Sequence, residues 1–330
     1  MSIRFALVGT GAISDRHAAA IRALGDDGEL VAVVSRSADR AAEWARRHDV
    51  DAFTSVSDAV AGSSAEVVVV CTETGSHAAL AIEALESGAK VIVEKPADVD
   101  VERIDRMIAA QRASGLLVAV VSQHRFDPAT ERVLEAVRSG RLGTVSSAVV
   151  SLALWRDQAY YDSAAWRGTR QLDGGGALMN QGIHVVDVLL ALMGPAVEVI
   201  GFSAALAHSG LEVEDTAVGA IRFATGALAA VHATTGAFPG GEVRIHVHGD
   251  RGSAVILNDR LAWLGTEAAS DEPDGGDALH RQYADFVDAL RESRSVRVGL
   301  EDARAAVAVI TGLYESARTG RAIRLSTPDL

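Results

Sequence analysis

Short apolar runs alternate with amphipathic helical patterns along the first 122 residues of the chain. Strands are predicted at Ile3–Val8, Leu30–Ser35, Ala52–Thr54, Val67–Cys71, Lys90–Glu94 and Leu117–Val121. Helices are predicted between them at Ala12–Leu24, Ala38–His48, His77–Ser87 and Val101–Ser114. This alternation is typical of a parallel sheet with crossover helices. Residues 1–122 are therefore predicted to form an α/β Rossmann domain that binds a dinucleotide.

After residue 122 the pattern changes to alternating apolar and polar positions joined by short turns. One hairpin is predicted from strands 215–223 and 227–234, another from 242–249 and 253–257, and a further strand at 144–155. Helices are predicted at 129–139, 177–192, 278–292 and 301–318. Residues 123–330 are therefore predicted to form a second, α+β domain with a large, mostly antiparallel open sheet, which serves substrate binding and oligomerisation.

Composition and charge narrow the class of protein. The 330 residues exceed what one hydrophobic core usually fills, and no apolar run reaches the length of a membrane span. The first residues run directly into a strand pattern without the features of a leader peptide, so a cytoplasmic protein is expected. A formal net charge of −13 opposes nucleic-acid binding, and the single cysteine, Cys71, cannot form an internal disulfide.

The turn after the first strand carries a candidate cofactor site. The segment Gly9–Ser14 reads Gly-x-Gly-x-x-Ser between a strand and a helix, where glycines let the backbone approach a pyrophosphate at the helix N-terminus. Ser14 stands where the motif usually has a third glycine, so a plain tight turn is the alternative. The residues expected to contact the cofactor here are Gly9, Thr10, Gly11, Ala12 and Ile13.

The end of the second strand bears on the choice of cofactor. An acid that would hold the ribose hydroxyls is absent there, and Ser35, Arg36 and Arg40 follow instead. Arginine forks match phosphate geometry, so the sequence favours NADP(H), with NAD(H) as the alternative. The alternative is that Arg36 and Arg40 are ordinary solvated residues.

Candidate catalytic residues occur in both predicted domains. Glu94-Lys95-Pro96 follows the buried fifth strand, and Lys95 at this sheet edge could donate a proton or hydrogen bond to a substrate hydroxyl. In the second domain a glycine-rich turn, residues 174–176, leads into a helix on which Asn180 and His184 lie four apart and share one face. His184 could accept a carbinol proton as hydride leaves for nicotinamide.

The chain resembles the Gfo/Idh/MocA oxidoreductase family over essentially its whole length. The resemblance rests on Gly9-x-Gly11, on Glu94-Lys95-Pro96 and on the glycine turn before His184. The resemblance implies oxidation or reduction of sugars, cyclitols or nucleotide sugars, with Lys95 and His184 as the catalytic pair. It also implies a cis bond before Pro96. Many members have aspartate where this chain has Asn180, a substitution that resembles the nucleotide-sugar 3-dehydrogenase branch. Because an amide is no base, proton transfer would fall to Lys95 and His184, acting on the same substrate carbon.

Further site residues follow from matching positions. His77, with Thr72 and Thr74 in the turn before it, matches a family turn that lies along the cofactor, and the alternative is a histidine bonded to local backbone. Trp166 and Arg167 match a pair close to the nicotinamide, and Tyr160 and Tyr161 precede them on the same loop. The predicted cofactor contacts also include Glu94, Lys95 and Arg167; the predicted substrate contacts are Tyr160, Tyr161, Trp166, Arg167, Asn180 and His184.

The leading prediction is therefore an NAD(P)-dependent dehydrogenase acting on a hydroxyl-bearing carbon of a sugar, cyclitol or nucleotide sugar. A glycosidase or epimerase that oxidises its substrate transiently, and a regulator that senses NADP(H), are the alternatives. No metal site is predicted. Small apolar residues on strands 215–223 and 227–234 predict that sheets pair face to face in a homodimer or homotetramer.

Overall fold

The computed structural model describes residues 2–268 and 277–325. These residues cluster into two compact units, one formed from residues 2–123 and 277–304 and the other from residues 124–268 and 305–325. Helix 278–292 was predicted as part of the second domain, whereas it clusters with the first unit. Amphipathicity reveals which helix face is buried but not which sheet it packs against.

The first unit contains a six-stranded parallel sheet in the order β3-β2-β1-β4-β5-β6. Its strands are β1 Ile3–Val8, β2 Gly28–Val34, β3 Asp51–Phe53, β4 Val67–Val70, β5 Lys90–Val93 and β6 Val118–Val120. All four residues of β4 are fully buried, as expected for a strand covered on both faces. The predicted Rossmann fold is confirmed, and its strand order reverses between β1 and β4, where such sheets bind ligands.

Helices of this unit begin and end at residues that the sequence marks. They are α1 Ala12–Ala23, α2 Ala38–His48, α3 Val56–Ser63, α4 His77–Glu86 and α5 Val101–Ser114. Asp100 caps α5 by accepting a hydrogen bond from the Arg103 amide, and Gly115 ends it in the left-handed conformation. Helix α3 was not predicted, because it is only eight residues long and follows the short edge strand β3.

The second unit contains a nine-stranded sheet in the order β14-β13-β12-β11-β7-β10-β9-β8-β15. Its strands are β7 Val145–Ala153, β8 Ala196–Ala204, β9 Thr216–Phe223, β10 Leu228–Thr234, β11 Val243–Gly249, β12 Ser253–Leu257, β13 Arg260–Gly265, β14 Glu267–Ala268 and β15 Ile323–Arg324. Both predicted hairpins are present, and only β7 and β10 pair in parallel among these strands. The predicted mostly antiparallel sheet is confirmed.

The remaining helices are α6 Pro128–Arg138, α7 Gln158–Asp162, α8 Ile183–Met193, α9 Ala278–Glu292 and α10 Leu300–Thr319. The predicted helix 177–192 begins with a π-helix, Ala177–Gly182, which continues into α8. Single π-turns inside helices occur frequently at functional sites. Among the described residues, no helix combines the length and the apolar character that a membrane crossing requires.

The two faces of the nine-stranded sheet differ. The side chains of Ala148, Val150 and Leu152 on β7 are buried, whereas those of alternate residues point the other way. This outer face leaves large apolar side chains exposed on neighbouring strands: Val149, Ile200, Phe202, Val218 and Leu228. Patches of this kind usually mark a surface that another molecule covers.

Candidate active site

The turn between β1 and α1 can exist only with glycine at position 9. Gly9 has φ +117°, and a Cβ there would lie 2.7 Å from the carbonyl oxygen of Cys71. Gly11, by contrast, is exposed, and a Cβ there would meet nothing within 4 Å of the protein. Gly9 therefore serves the fold, whereas Gly11 leaves open space at the N-terminus of α1, which is where a pyrophosphate would approach.

Ser14, which replaces the third glycine of the motif, is fully buried beneath this turn. Its hydroxyl donates to the carbonyl of Gly11 at 2.6 Å and accepts from the Trp44 indole at 3.0 Å. The serine thus connects α1 to α2, a contact that a glycine could not make. Its presence is compatible with the dinucleotide motif.

The end of β2 carries the residues predicted to choose between cofactors. The Arg36 side chain is 89% exposed, and its Nη2 lies 3.0 Å from Oε1 of Glu73. Ser37 caps α2 by accepting from the Arg40 amide, so Arg36 and Arg40 flank a helix N-terminus. A positive helix end with two arginines suits a phosphate, but Glu73 competes with that phosphate for Arg36.

A buried hydrogen-bond network lies behind Lys95. Glu94, 7% exposed, accepts from the Lys95 amide at 2.9 Å with Oε2 and bonds Nε2 of His17 at 3.0 Å with Oε1. The other ring nitrogen of His17 lies 2.8 Å from the Tyr283 hydroxyl on α9. Burial alone would raise the pKa of Glu94, but the His17 hydrogen bond and the charges of His17 and Lys95 lower it. The carboxylate therefore stays ionised beside the half-buried Lys95.

The bond between Lys95 and Pro96 is cis, which confirms the prediction from the resemblance. The Pro96 carbonyl lies 2.8 Å from Nδ1 of His77, whose Nε2 lies 3.1 Å from the carbonyl of Thr72. His77 is 1% exposed, and its two ring nitrogens connect the segments after β4 and β5 through backbone carbonyls. This agrees with the alternative given for His77, a histidine bonded to local backbone. Thr74 is buried, and Thr72 is half-buried at the end of β4.

In the second unit, a buried carboxylate holds the glycine-rich turn. Glu214 accepts from the amides of Gly176 and Leu178 at 2.9 and 2.8 Å, and from the Tyr314 hydroxyl at 2.9 Å. A Cβ on Gly176 would overlap the backbone carbonyl of Glu214. Burial raises the pKa of the Glu214 carboxyl despite these three donors. The turn, and with it the start of the π-helix, is fixed by packing.

Asn180 and His184 follow on this π-helix and on α8. The Asn180 amide donates to Oδ1 of the buried Asp173 at 2.6 Å, and both residues make further contacts. The His184 ring meets the ring of His124 edge-on, with centroids 4.8 Å apart. Asn180 is thus oriented by a carboxylate and His184 by a second imidazole.

His124 also forms the one group of three potential metal ligands found among the described residues. Its Nδ1 lies 2.8 Å from Asp127 and 3.1 Å from Asp259. Burial lowers its pKa, but the two carboxylates outweigh this and raise the pKa to about 9. At neutral pH the three side chains therefore satisfy one another as an imidazolium between two carboxylates.

The two tyrosines of the predicted substrate loop differ. Tyr161 is 5% exposed, and its hydroxyl bonds Thr235 at 2.7 Å, so it belongs to the core. The Tyr160 hydroxyl accepts from Nη1 of Arg167 at 2.7 Å and from Nε2 of Gln181 at 3.1 Å. The Arg167 guanidinium lies 4.6 Å from the ring centroid of Trp166. Tyr160, Trp166 and Arg167 therefore form one cluster beside the π-helix.

Comparison with known proteins defines the class. Residues 3–122 match an oxidoreductase family with an NAD-binding Rossmann fold, and residues 130–255 match the GFO/IDH/MocA C-terminal domain. A similar solved structure is that of the WlbA dehydrogenase from Bordetella pertussis in complex with NADH and UDP-GlcNAcA. The two chains are 32% identical and superimpose with a TM-score of 0.91, over 99% of this chain and all of WlbA. The protein is thus an NAD-binding oxidoreductase. It belongs to the GFO/IDH/MocA family, as the sequence motifs predicted.

Two curated relatives extend over both chains almost completely. The 1,5-anhydro-D-fructose reductase of Ensifer adhaerens is 28% identical over 338 residues, 98% of this chain and 99% of the relative. The inositol 2-dehydrogenase of Rhizobium meliloti is 26% identical over 342 residues, 99% of this chain and all of the relative. The relatives include a reductase and a dehydrogenase named for a sugar and a cyclitol.

Several site residues escaped the sequence analysis. Arg156, Asp173 and Gln181 contact predicted site residues, and His124 contacts His184. Gln181 is adjacent to Asn180, and a polar residue at an otherwise buried helix position could have indicated it. His124 carried no signal in the sequence, because its partners include Asp259, more than a hundred residues away.

Proposed function

We propose that this protein transfers a hydride between NAD(P) and a hydroxyl-bearing carbon of a sugar, a cyclitol or a nucleotide sugar. The observation that carries the proposal is the open space at Gly11, on the same sheet edge as Lys95. The names of the relatives support this substrate class, since they specify an anhydrosugar and inositol, and UDP-GlcNAcA is bound in the WlbA structure.

The residues of the first unit fit a dinucleotide. Gly9–Ile13 would hold its pyrophosphate at the N-terminus of α1, and Thr72 and Lys95 follow neighbouring strands at the same edge. The nicotinamide supplies the hydride acceptor or donor. Lys95 and His184 act in proton transfer at the substrate oxygen, and Asn180, held by Asp173, orients the substrate or the imidazole.

The catalytic roles are tested by substitution. His184→Ala and Lys95→Ala should each lower kcat by about 10²–10⁴-fold while leaving cofactor affinity nearly unchanged. His280→Ala and Lys90→Ala serve as matched controls, because His280 is a half-buried residue of α9 and Lys90 lies at the opposite end of β5 from Lys95. Full activity of either catalytic variant would refute its role.

For the cofactor, we propose a preference for NADP(H), with Arg36 and Arg40 contacting the 2′-phosphate. Arg36→Ala should weaken NADPH binding by about 1.5–3 kcal/mol, the loss of a charge-assisted hydrogen bond, and leave NADH binding unchanged. Glu73→Gln should strengthen NADPH binding, because it removes the competing carboxylate 3.0 Å from Arg36. Equal or tighter binding of NADH by the wild-type protein in a fluorescence titration would assign the site to NAD(H).

We further propose that the outer face of the nine-stranded sheet pairs with a second copy. Its exposed Val149, Ile200, Phe202, Val218 and Leu228 lie on strands that leave one sheet face uncovered within the unit. Light scattering should give a multiple of 34.4 kDa, and Phe202→Asp should shift the mass toward the monomer. A monomer mass for the wild-type protein would refute the proposal.

A further inference from the structure

Two arginines of the second unit converge on the ring of Tyr160. The guanidinium carbon of Arg167 lies 4.3 Å from the ring centroid, and that of Arg156 lies 5.1 Å from it. Among the described residues, neither side chain forms an ion pair with a carboxylate. This is unexpected in a chain with 44 acidic and 31 basic residues, where carboxylates are plentiful. Both positive charges lie within 5.1 Å of the same ring centroid, so their fields add around Tyr160 and favour an anion beside it.

The position of Arg167 is fixed before any ligand binds. Its Nη1 donates to the Tyr160 hydroxyl at 2.7 Å, its Nε donates to the Ser163 hydroxyl at 3.1 Å, and its guanidinium carbon lies 4.6 Å from the ring centroid of Trp166. A guanidinium has more N–H donors than these two bonds use. Arg167 is therefore pre-organised to donate to a planar or tetrahedral oxyanion.

Two buried polar atoms of the same cluster lack a partner among the described residues. They are Nε of Arg156, a donor, and Oε1 of Gln181, an acceptor. Gln181 is 9% exposed, and its Nε2 already donates to the Tyr160 hydroxyl. Buried polar atoms without partners are costly, so these two indicate a ligand that both accepts and donates hydrogen bonds.

The cluster is continuous with the candidate catalytic residues of this unit. Gln181 follows Asn180 directly on the π-helix, and His184 lies one turn further along the chain. Burial raises the pKa of Tyr160, and so does the charge of the Asp173 carboxylate, which accepts from the Asn180 amide. A ligand bound beside Tyr160 therefore lies near the carboxylate that holds Asn180.

We propose that the substrate is an anionic sugar, whose carboxylate or phosphate is bound by Arg156 and Arg167 beside Tyr160, while a sugar hydroxyl donates to Oε1 of Gln181. The proposal rests on the proposed sugar oxidoreductase function, and it narrows the substrate class of that site. Both kinds of substrate carry a singly or doubly charged oxyanion attached to a polyhydroxylated ring. A carboxylate on the sugar and a phosphate ester are its two sources.

The test compares probes that differ in the charged group. Turnover with NAD⁺ and NADP⁺, and binding by calorimetry, are measured for glucose, glucuronate, glucose 6-phosphate, UDP-glucose and UDP-glucuronate. We expect at least one anionic probe to bind at millimolar concentration or below and to exceed glucose in affinity by at least about 10-fold, as a charge-assisted hydrogen bond would give. Tighter binding of glucuronate or UDP-glucuronate than of the matching glucose compound would show that the bound anion is a carboxylate. Tighter binding of the phosphate esters, with no gain from a carboxylate, would show that it is a phosphate.

Substitutions link the preference to the cluster. Arg156→Gln and Arg167→Gln should each raise KM or Kd of the preferred anionic probe by about 10- to 100-fold and should abolish the preference for that probe over glucose. Arg170→Gln is the matched control, because Arg170 is an exposed arginine of the same loop whose Nε already donates to the Glu212 carbonyl.

The outcomes separate this inference from the proposed function. Charge-dependent binding that Arg156→Gln and Arg167→Gln abolish, without turnover of any probe, would support the anion site and count against the oxidoreductase chemistry at it. Turnover of neutral and anionic probes with equal kcat/KM would overturn the anion site and leave the oxidoreductase function intact. Absence of anionic binding at millimolar concentration would overturn the anion site as well.

Discussion

Replacing His17 by leucine should destabilise the first unit more than any surface histidine could. The imidazole is fully buried and bridges Glu94 and Tyr283, which are themselves 7% and 1% exposed. Leucine fills a similar volume but removes both ring nitrogens. The substitution therefore leaves a buried carboxylate with one partner fewer and a buried hydroxyl without its partner.

The expected magnitude follows from these two losses. A hydrogen bond to a charged group contributes about 1.5–3 kcal/mol, and an unsatisfied buried hydroxyl costs about 1–3 kcal/mol. The sum agrees with the roughly 3–5 kcal/mol lost when one partner of a buried pair is removed. At about 2–4 °C per kcal/mol for a unit of this size, Tm should fall by about 6–20 °C.

Thermal unfolding followed by circular dichroism at pH 7 provides the assay. His280→Leu is the control, because His280 lies on α9 near Tyr283 but is only half-buried, and its substitution should change stability by less than about 0.5–1 kcal/mol. Equal Tm values for the wild type, His17→Leu and His280→Leu would refute the reasoning.

The pH dependence provides a second check with a defined sign. Because the pKa of Glu94 is lowered, its contribution to stability is present above the ordinary carboxyl pKa of 4.5 and is lost as pH falls below it. In His17→Leu the buried carboxyl loses its hydrogen bond to the imidazole, and protonation then relieves the less well compensated charge. The difference in Tm between the two proteins should therefore narrow on acidification. A difference that widens would contradict the network.

Two further predictions concern other sites. Gly9→Ala should lower Tm and abolish cofactor binding, because residue 9 has φ +117° and a Cβ there would lie 2.7 Å from the Cys71 carbonyl oxygen. Gly11→Ala should leave Tm unchanged, because a Cβ there meets no protein atom within 4 Å, and should lower only the affinity for the cofactor in a fluorescence titration. Equal Tm values for Gly9→Ala and the wild type would contradict this. Because the pKa of His124 is raised to about 9, its contribution to stability is complete below pH 6.5 and is lost as pH rises through about 9. His124→Gln should therefore lower the free energy of unfolding at pH 6.5, and the difference from the wild type in chemical denaturation should shrink as pH rises to about 9. A constant difference would exclude titration of His124.

The sheet of the first unit was predictable because most of its strands contain a short apolar run. A strand buried on both faces must be apolar at every position, as Val67–Val70 is, and the helices between such strands have clear caps. The predicted bounds differ from the observed ones by at most two residues. In the second unit, β13 follows Asn258 and Asp259, both left-handed, and this hairpin signal was overlooked.

Contacts between distant parts of the chain could not be predicted. His17 is 77 residues from Glu94 and 266 from Tyr283, and no periodicity links three such positions. No partner for His17 could be predicted, and the helix that carries Tyr283 was assigned to the other domain, whereas it clusters with the first unit. A pattern along the chain reports which residues are buried but not which residues they contact.

The glycine-rich turn and the loop of arginines show how packing separates structural from functional signals. The glycine-rich turn before Asn180 is part of the resemblance to the oxidoreductase family, yet its Gly175 and Gly176 are required sterically, because a Cβ at these positions would overlap Tyr314 or Glu214. Steric demand therefore accounts for the turn whether or not a substrate binds. Nothing within the unit accounts in the same way for Arg156 and Arg167, whose charges have no carboxylate partner among the described residues. A feature that packing leaves unexplained is the stronger evidence for a ligand, which is why the arginines rather than the glycines carry the inference about the substrate.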